Sequence, residues 1–150
     1  NDSLGKSHWI VRKSLDGGTT WLTVDNWQNV PGYHASANTI VLDSTNNIFV
    51  AGYCLDSSNI THWTVRKSID NGNTWSNIDD FSSYTLSTPY GISIDSSNNL
   101  YVVGTGMDAG PNTHWIVRKG INSGSSWATV DDYQLAVARN SYAKSIAVTL

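Results

Sequence analysis

His8-Trp9-Ile10-Val11-Arg12-Lys13-Ser14-Leu15-Asp16-Gly17-Gly18-Thr19-Thr20-Trp21-Leu22-Thr23-Val24-Asp25-Asn26-Trp27 is the stretch that decides the fold, because it occurs three times. His62–Phe81 and His114–Tyr133 align with it without gaps, each matching at 11 of 20 positions. A second unit recurs between the copies: Ile40–Gly52 (Ile-Val-Leu-Asp-Ser-Thr-Asn-Asn-Ile-Phe-Val-Ala-Gly) pairs with Ile92–Gly104, and its opening returns at Ile146-Ala147-Val148. The spacings are 54 residues from His8 to His62 and 52 from His62 to His114. Each period reads as four short strands. Strand A lies around Ile40–Leu42 or Ile92–Ile94. An Asp-Ser-Thr/Ser-Asn-Asn turn leads to strand B at Ile48–Ala51 or Leu100–Val103, ended by Gly. Strand C is Trp63–Lys67 and its equivalents, and strand D is Thr74–Ile78 and its equivalents. Strands A and B are continuous apolar runs, which predicts cover on both faces. Four-stranded units of this length, repeated and covered on both faces, are the blades of a β-propeller.

Composition agrees. The chain has no Glu, two Gln and one Met, while Ser, Thr and Asn supply 49 of its 150 residues and Trp and Tyr seven each. Poor helix formers of this kind exclude a helical bundle. At 150 residues the chain holds one repeat module over 1–150, divided at about 1–32, 33–84 and 85–138, with a partial strand at 139–150. The net charge of −3 and the absence of a basic stripe speak against nucleic-acid binding. No apolar run approaches the ~18 residues of a membrane span. A lone Cys54 excludes an internal disulfide and a Cys-based zinc cluster. Asn1 opens the chain without an apolar signal segment, so a processed or excised form is expected.

The turn after strand C carries a specific signature. Ser14, Asp16, Gly18, Thr20 and Trp21, then Ser68, Asp70, Gly72, Thr74 and Trp75, fit Ser-x-Asp-x-Gly-x-Thr-Trp. This resembles the Asp-box of the bacterial-neuraminidase-repeat propellers, which share the sialidase-like fold. The third copy keeps Gly124 and Trp127 but has Gly120 for Ser and Asn122 for Asp, so its side-chain bonds should be weaker. The A–B unit resembles a second family, the bacterial β-propeller repeats with Asp-Ser-x-Gly-Asn-x-Tyr-Val-x-Gly; Asn47 and Asn99 stand in its Gly-Asn stretch. The resemblance implies that the boxes sit on the rim away from the ligand face and hold their own turns together. It also implies an extracellular protein. It does not fix a function, since such boxes occur in sialidases, xyloglucan hydrolases, sortilin-type receptors and photosynthetic assembly factors.

A catalytic reading fares poorly. Arg12, Arg66 and Arg118 could clamp a carboxylate, yet they hold one equivalent position in successive repeats and cannot converge. Arg–Asp pairs with Asp25, Asp79 and Asp131 are the expected use. The sialidase mechanism needs a Glu to activate its Tyr nucleophile, and the chain has none. Every aspartate recurs between repeats, whereas an acid–base pair would be unique to one. His8, His62 and His114 recur too and read as hydrogen-bonding residues at strand starts rather than metal ligands. The Asp-Ser-Asn-Asn turns lack the following acidic ligands that calcium needs. Neither cofactor nor metal is expected.

The segments that vary are the D–A connections (Trp27–Thr39, Phe81–Gly91, Tyr133–Ser145) and the B–C loops (Asn1–Ser7, Tyr53–Thr61, Thr105–Thr113), at the end opposite the boxes. They place Tyr33, His34, Tyr84, Tyr90, Arg139, Asn140, Tyr142, Asp56 and Asp108 as candidate ligand-binding residues, a mixture of aromatic platforms and polar partners that suits sugars. The expected function is a non-catalytic module binding a glycan or a protein. The alternatives are a piece of a secreted glycoside hydrolase and a purely structural repeat. Three repeats fall short of the ~4–8 blades of a ring. Strands C and D open the chain and strand A closes it, with Leu150 aligned to Ser44 and Ser96, so a six-bladed homodimer, or blades from another chain, is expected; strand B of each composite blade would be missing.

Overall fold

Aspartate-initiated turns cut the chain into strands. At Asp43 one carboxylate oxygen accepts the N–H groups of Thr45 and Asn47, both at 2.9 Å, while Asn46 takes the left-handed conformation at φ 64°. Asp95 does the same for Ser97 and Asn99, with Asn98 at φ 59°. The computed structural model of the chain describes residues 1–136 and 138–149. These hold ten strands: β1 (Trp9–Lys13), β2 (Leu22–Trp27), β3 (Ala35–Leu42), β4 (Ile48–Leu55), β5 (Thr61–Ser68), β6 (Ser76–Phe81), β7 (Leu86–Ile94), β8 (Leu100–Met107), β9 (Thr113–Ile121) and β10 (Ser126–Tyr133). No helix among the described residues is long and apolar enough to cross a membrane.

All pairing is antiparallel. β3-β4-β5-β6 and β7-β8-β9-β10 are four-stranded sheets in chain order, and β1-β2 form a two-stranded sheet. The predicted all-β architecture therefore holds, with two four-stranded units rather than three. The 139–149 segment, where a partial strand was expected, joins no sheet; it lies against β7 instead, where a Cβ on Gly91 would stand 3.1 Å from Ser145 Cα. Leu150 and its expected alignment lie outside the described residues.

Two apolar layers hold the sheets together. Trp9, Val11, Ala35, Ile48, Val50 and Cys54 pack between the two-stranded sheet and the first four-stranded one. Ala51, Trp63, Val65, Phe81, Val102 and Ile116 pack between the two four-stranded sheets. Val50 and Ala51 are neighbours in sequence yet serve opposite layers, as the two-residue period of a strand requires. Thus β4 is buried on both faces, as its apolar run predicted. β3 is not: Ile40 and Leu42 are 53% and 51% exposed, and Ile40 faces an open groove beside β1.

The strands are longer than the sequence suggested. β3 and β7 begin five to six residues early, pairing through a bulge between Ala37 and Thr39 and another between Pro89 and Gly91. β4 and β8 run through Gly52 and Gly104 instead of ending there. The expected loops shrink to 28–34, 82–85, 56–60 and 108–112, and Tyr90 belongs to β7 rather than to a connection.

Candidate functional site

The turns after β1 and β5 are closed networks. Ser14 Oγ accepts the Gly18 N–H at 2.7 Å and donates to Asp16 Oδ1 at 2.8 Å; Asp16 accepts the Thr20 N–H at 2.8 Å and the Thr20 hydroxyl at 2.6 Å. Ser68, Asp70, Gly72 and Thr74 repeat the pattern within 0.1 Å. The Thr hydroxyl, then the Thr N–H, hold both carboxyls down to about 2. In the third copy Asn122 makes no such bond; its turn rests on the Gly124 and Ser125 N–H groups bonded to the Ile121 carbonyl, with Asn122, Ser123 and Gly124 all left-handed. The folded carboxyls of Asp16 and Asp70 titrate below their unfolded value of 3.8. Their contribution to stability is therefore complete above pH 3.8 and disappears as pH falls through about 2. An Asp16→Asn, Asp70→Asn double variant should lose part of the drop in melting temperature seen between those pH values, the carboxyls of Asp2, Asp43, Asp56, Asp95 and Asp108, which their own turns also hold low, supplying the rest; thermal melts across that range check it.

The arginines form a clamp between sheets. Arg66 on β5 reaches Asp25 on β2 with Nε at 2.9 Å and Nη2 at 3.3 Å, and Arg118 on β9 reaches Asp79 on β6 at 2.7 and 2.6 Å. Each guanidinium lies 4.4 Å from an aromatic centroid, Trp27 and Phe81 respectively. Burial pushes the Asp25 and Asp79 carboxyls upward, and the guanidiniums pull them only part of the way back. The expected Arg–Asp pairing is thus inter-sheet and repeated.

At the opposite end, each repeated histidine bridges a turn and a strand. His62 Nδ1 lies 2.6 Å from Asp80 and Nε2 3.5 Å from Asp56; His114 lies 2.7 Å from Asp132 and 3.4 Å from Asp108. His8 bonds Asn26 at 2.6 Å and Asp2 at 3.3 Å. Burial lowers the affinity of His62 for its proton, but the hydrogen bonds and charges of Asp80 and Asp56 together outweigh this and the net shift is upward. Asp56 and Asp108 are also turn caps: their carboxylates accept the Ser58 and Ile60, or Gly110 and Asn112, N–H groups. The B–C loops are therefore the same aspartate turn as the A–B loops, a likeness that Asp56-Ser57-Ser58-Asn59 displays beside Asp43-Ser44-Thr45-Asn46. Tyr84 donates to Asp132 and packs on His114 at 5.3 Å; burial, then the hydrogen bond to Asp132, drive its pKa upward, the reverse of an activated nucleophile. Burial likewise pushes the Cys54 thiol up to about 11, beside Thr64.

Other candidates are committed to the frame. Asn140 Oδ1 accepts the Thr113 N–H at 2.9 Å, and Tyr33 donates to the Ser57 carbonyl at 3.2 Å. Arg139 and Tyr142 are exposed, and Lys144 Nζ sits 3.8 Å from the Tyr90 centroid and 5.5 Å from that of Tyr142. His34 and Tyr90 do come together. With Tyr53, Leu55, Asn59, Thr61, Leu86 and Thr88 they line an open cleft of about 560 Å³ between the two four-stranded sheets. Six of these eight residues, Tyr53, Leu55, Thr61, Leu86, Thr88 and Tyr90, belong to strands although the sequence placed them in loops. No group of three or more His, Cys or Asp side chains suited to a metal occurs among the described residues.

A family model described as the SBBP β-propeller repeat matches residues 81–106, the β7–β8 unit whose resemblance to bacterial propeller repeats the sequence displayed. No curated protein matches the sequence significantly. The chain superposes on an α-L-arabinanase of Penicillium chrysogenum, solved with arabinobiose, at a TM-score of 0.62 and 15% identity, over 89% of this chain and 43% of that one. A glycoside hydrolase family 93 α-L-arabinofuranosidase of Fusarium graminearum gives 0.60 and 16%, over 88% and 42%. The fold is that of a β-propeller. The chain spans less than half the length of these propellers, and its sheets are consecutive blades. The strand connections put the Ser-x-Asp-x-Gly turns at one end of each blade and the histidines and the cleft at the other.

Proposed function

We propose that the chain is a carbohydrate-binding propeller module of the Asp-box type, acting outside the cell and using the cleft between its two complete blades. The observation that carries this reading is the lining of that cleft: Tyr53 and Tyr90 supply ring faces, Asn59, Thr61 and Thr88 supply hydrogen-bonding groups, and no carboxylate lines it. Eleven of the twelve aspartates are engaged in turns, histidine bonds or arginine clamps, leaving Asp131, so the chain offers no acid–base pair for glycoside cleavage. The likeness to propellers solved with arabinobiose supports arabinose-containing oligosaccharides as the first ligands to try. Calorimetric titration of the chain with arabino-oligosaccharides, beside xylo- and gluco-oligosaccharides, is the test. Binding should be lost about tenfold in Tyr90→Ala or Tyr53→Ala, as expected for one stacked ring. Absence of binding to any of the three classes rejects the reading.

A second reading has the same likeness behind it: the chain is a portion of an arabinan-cleaving hydrolase, with catalytic carboxylates on other blades. It requires that this chain bind arabino-oligosaccharide without hydrolysing it.

A further inference from the structure

The contact between consecutive blades is built twice to one pattern. On the leading face stand an aspartate and an aromatic late in the fourth strand, an apolar residue just before them, and a lysine at the end of the third strand. On the receiving face stand an arginine mid-way along the third strand and the glycine turn behind it. Thus Asp25, Trp27, Val24 and Lys13 meet Arg66, Gly72 and Asn71: the arginine pairs with the aspartate over the aromatic, Lys13 donates to the Asn71 carbonyl at 3.2 Å, and Trp75 donates to the Val24 carbonyl at 2.9 Å. Next, Asp79, Phe81, Ile78 and Lys67 meet Arg118, Gly124 and Ser123 with the same arginine, aromatic and lysine contacts, Lys67 donating to the Ser123 carbonyl at 3.2 Å, while Trp127 donates to its own Gly124 carbonyl.

One copy of each half is left over. The β7–β10 blade presents Asp131, Tyr133, Val130 and Lys119 as a leading face with nothing upon it, Val130 and Tyr133 being 53% and 49% exposed. The β1–β2 sheet presents Arg12, Trp21, Gly17 and Gly18 as a receiving face, with Trp21 50% exposed. Arg12 is exposed and bonds only the Trp21 carbonyl at 2.8 Å, whereas Arg66 and Arg118 are 6% and 7% exposed. Asp131 takes part in no ion pair among the described residues. Asp131 on one surface and Arg12 on the other carry opposite charge, both surfaces expose apolar residues, and the two already have the register of two contacts inside the molecule.

We propose that these two faces bind each other between two copies of the chain, head to tail about a two-fold axis. Arg12 of each copy pairs with Asp131 of the other over Tyr133, and Lys119 reaches the Gly17 carbonyl. Both unpartnered faces are then covered, as closed symmetry requires. The 143–149 segment, seated against β7, supplies the inner element of a composite blade whose outer strands are β1 and β2 of the other copy. The groove of about 230 Å³ between β1 and β3, lined by Ile10, Val11, Ala37 and Ile40, marks the place of its unfilled strand.

Charge reversal tests the pairing, because both residues are exposed in a single copy and their replacement leaves the interior untouched. Light scattering over a dilution series should give the wild-type chain twice its 16.4 kDa mass. Arg12→Asp and Asp131→Arg, each with unchanged circular dichroism, should weaken association about a hundredfold and run as single copies. The Arg12→Asp, Asp131→Arg double variant should recover the doubled mass, and the two single variants mixed should form a one-to-one pair. A wild-type chain that stays at 16.4 kDa throughout overturns the proposal, leaving the faces to blades from elsewhere. So do single variants that keep the doubled mass, or a folded double variant and a mixture that both fail to recover it.

Discussion

Arg118→Ala should cost about 3–5 kcal/mol, because it leaves the Asp79 carboxylate buried between two blades without a counter-charge. The side chains of Arg118 and Asp79 are 9% and 5% exposed, and the guanidinium donates twice to the carboxylate, once to Thr129, and covers Phe81. A loss of that size removes much of the 5–15 kcal/mol that keeps an ordinary domain folded. Urea unfolding should show a midpoint far below wild type. An Arg118→Met, Asp79→Leu double variant should be less damaged than Arg118→Ala alone, since no unpaired charge then remains. Arg12→Ala is the control: its arginine is exposed, and a single copy should change by no more than about 0.5 kcal/mol. Equal losses at Arg12 and Arg118 would refute the clamp.

Gly52→Ala should cost about 3 kcal/mol, the upper end for overpacking, because its new methyl meets backbone rather than a movable side chain. The added Cβ would stand 2.0 Å from the Ser36 carbonyl oxygen and 2.5 Å from the Trp9 ring. Gly104 repeats the position, with the Thr88 carbonyl oxygen at 2.1 Å. Both glycines face the bulge of the first strand of their blade, where the chain is pressed against its neighbour. Chemical denaturation of Gly52→Ala and Gly104→Ala should show similar losses, whereas Gly17→Ala, whose Cβ would meet nothing within 4 Å, should lose only what its left-handed φ of 69° imposes. A Gly52→Ala chain of wild-type stability would mean that the bulge is softer than its geometry.

The four-strand period was legible because turn chemistry is local. Asp43 and Asp70 find their hydrogen-bond partners within four residues, so their sequence neighbours suffice to specify the turn. The loss of side-chain bonds in the third turn was legible for the same reason, in the exchanges that put Gly120 and Asn122 where the others have serine and aspartate. Strand lengths were less so. Gly52 and Gly104 read as strand ends because glycine ordinarily weakens a strand, yet here they are demanded by a bulge on the facing strand.

The candidate site divides along the same line. Tyr84 and Asn140 were recognisable as variable polar and aromatic residues near loops, but their partners, Asp132 and Thr113, lie on other strands and draw them into the frame, while Asp56 and Asp108 cap their own turns and reach the histidine that follows. His34 and Tyr90 line the cleft beside Tyr53 and Leu86, residues that nothing local marks, because the wall between two blades is made by strands far apart in the chain. The sequence by itself determined the all-β repeat, the turn networks and the pairing of arginine with aspartate, since each depends on spacing within a period or on its recurrence. Only the tertiary structure decided that each arginine pairs with the preceding blade's aspartate, that a cleft lies between the complete blades, and that Arg12 and Asp131 are left over at opposite faces. These are facts of how blades stack, and stacking depends on distances between residues that no local pattern encodes.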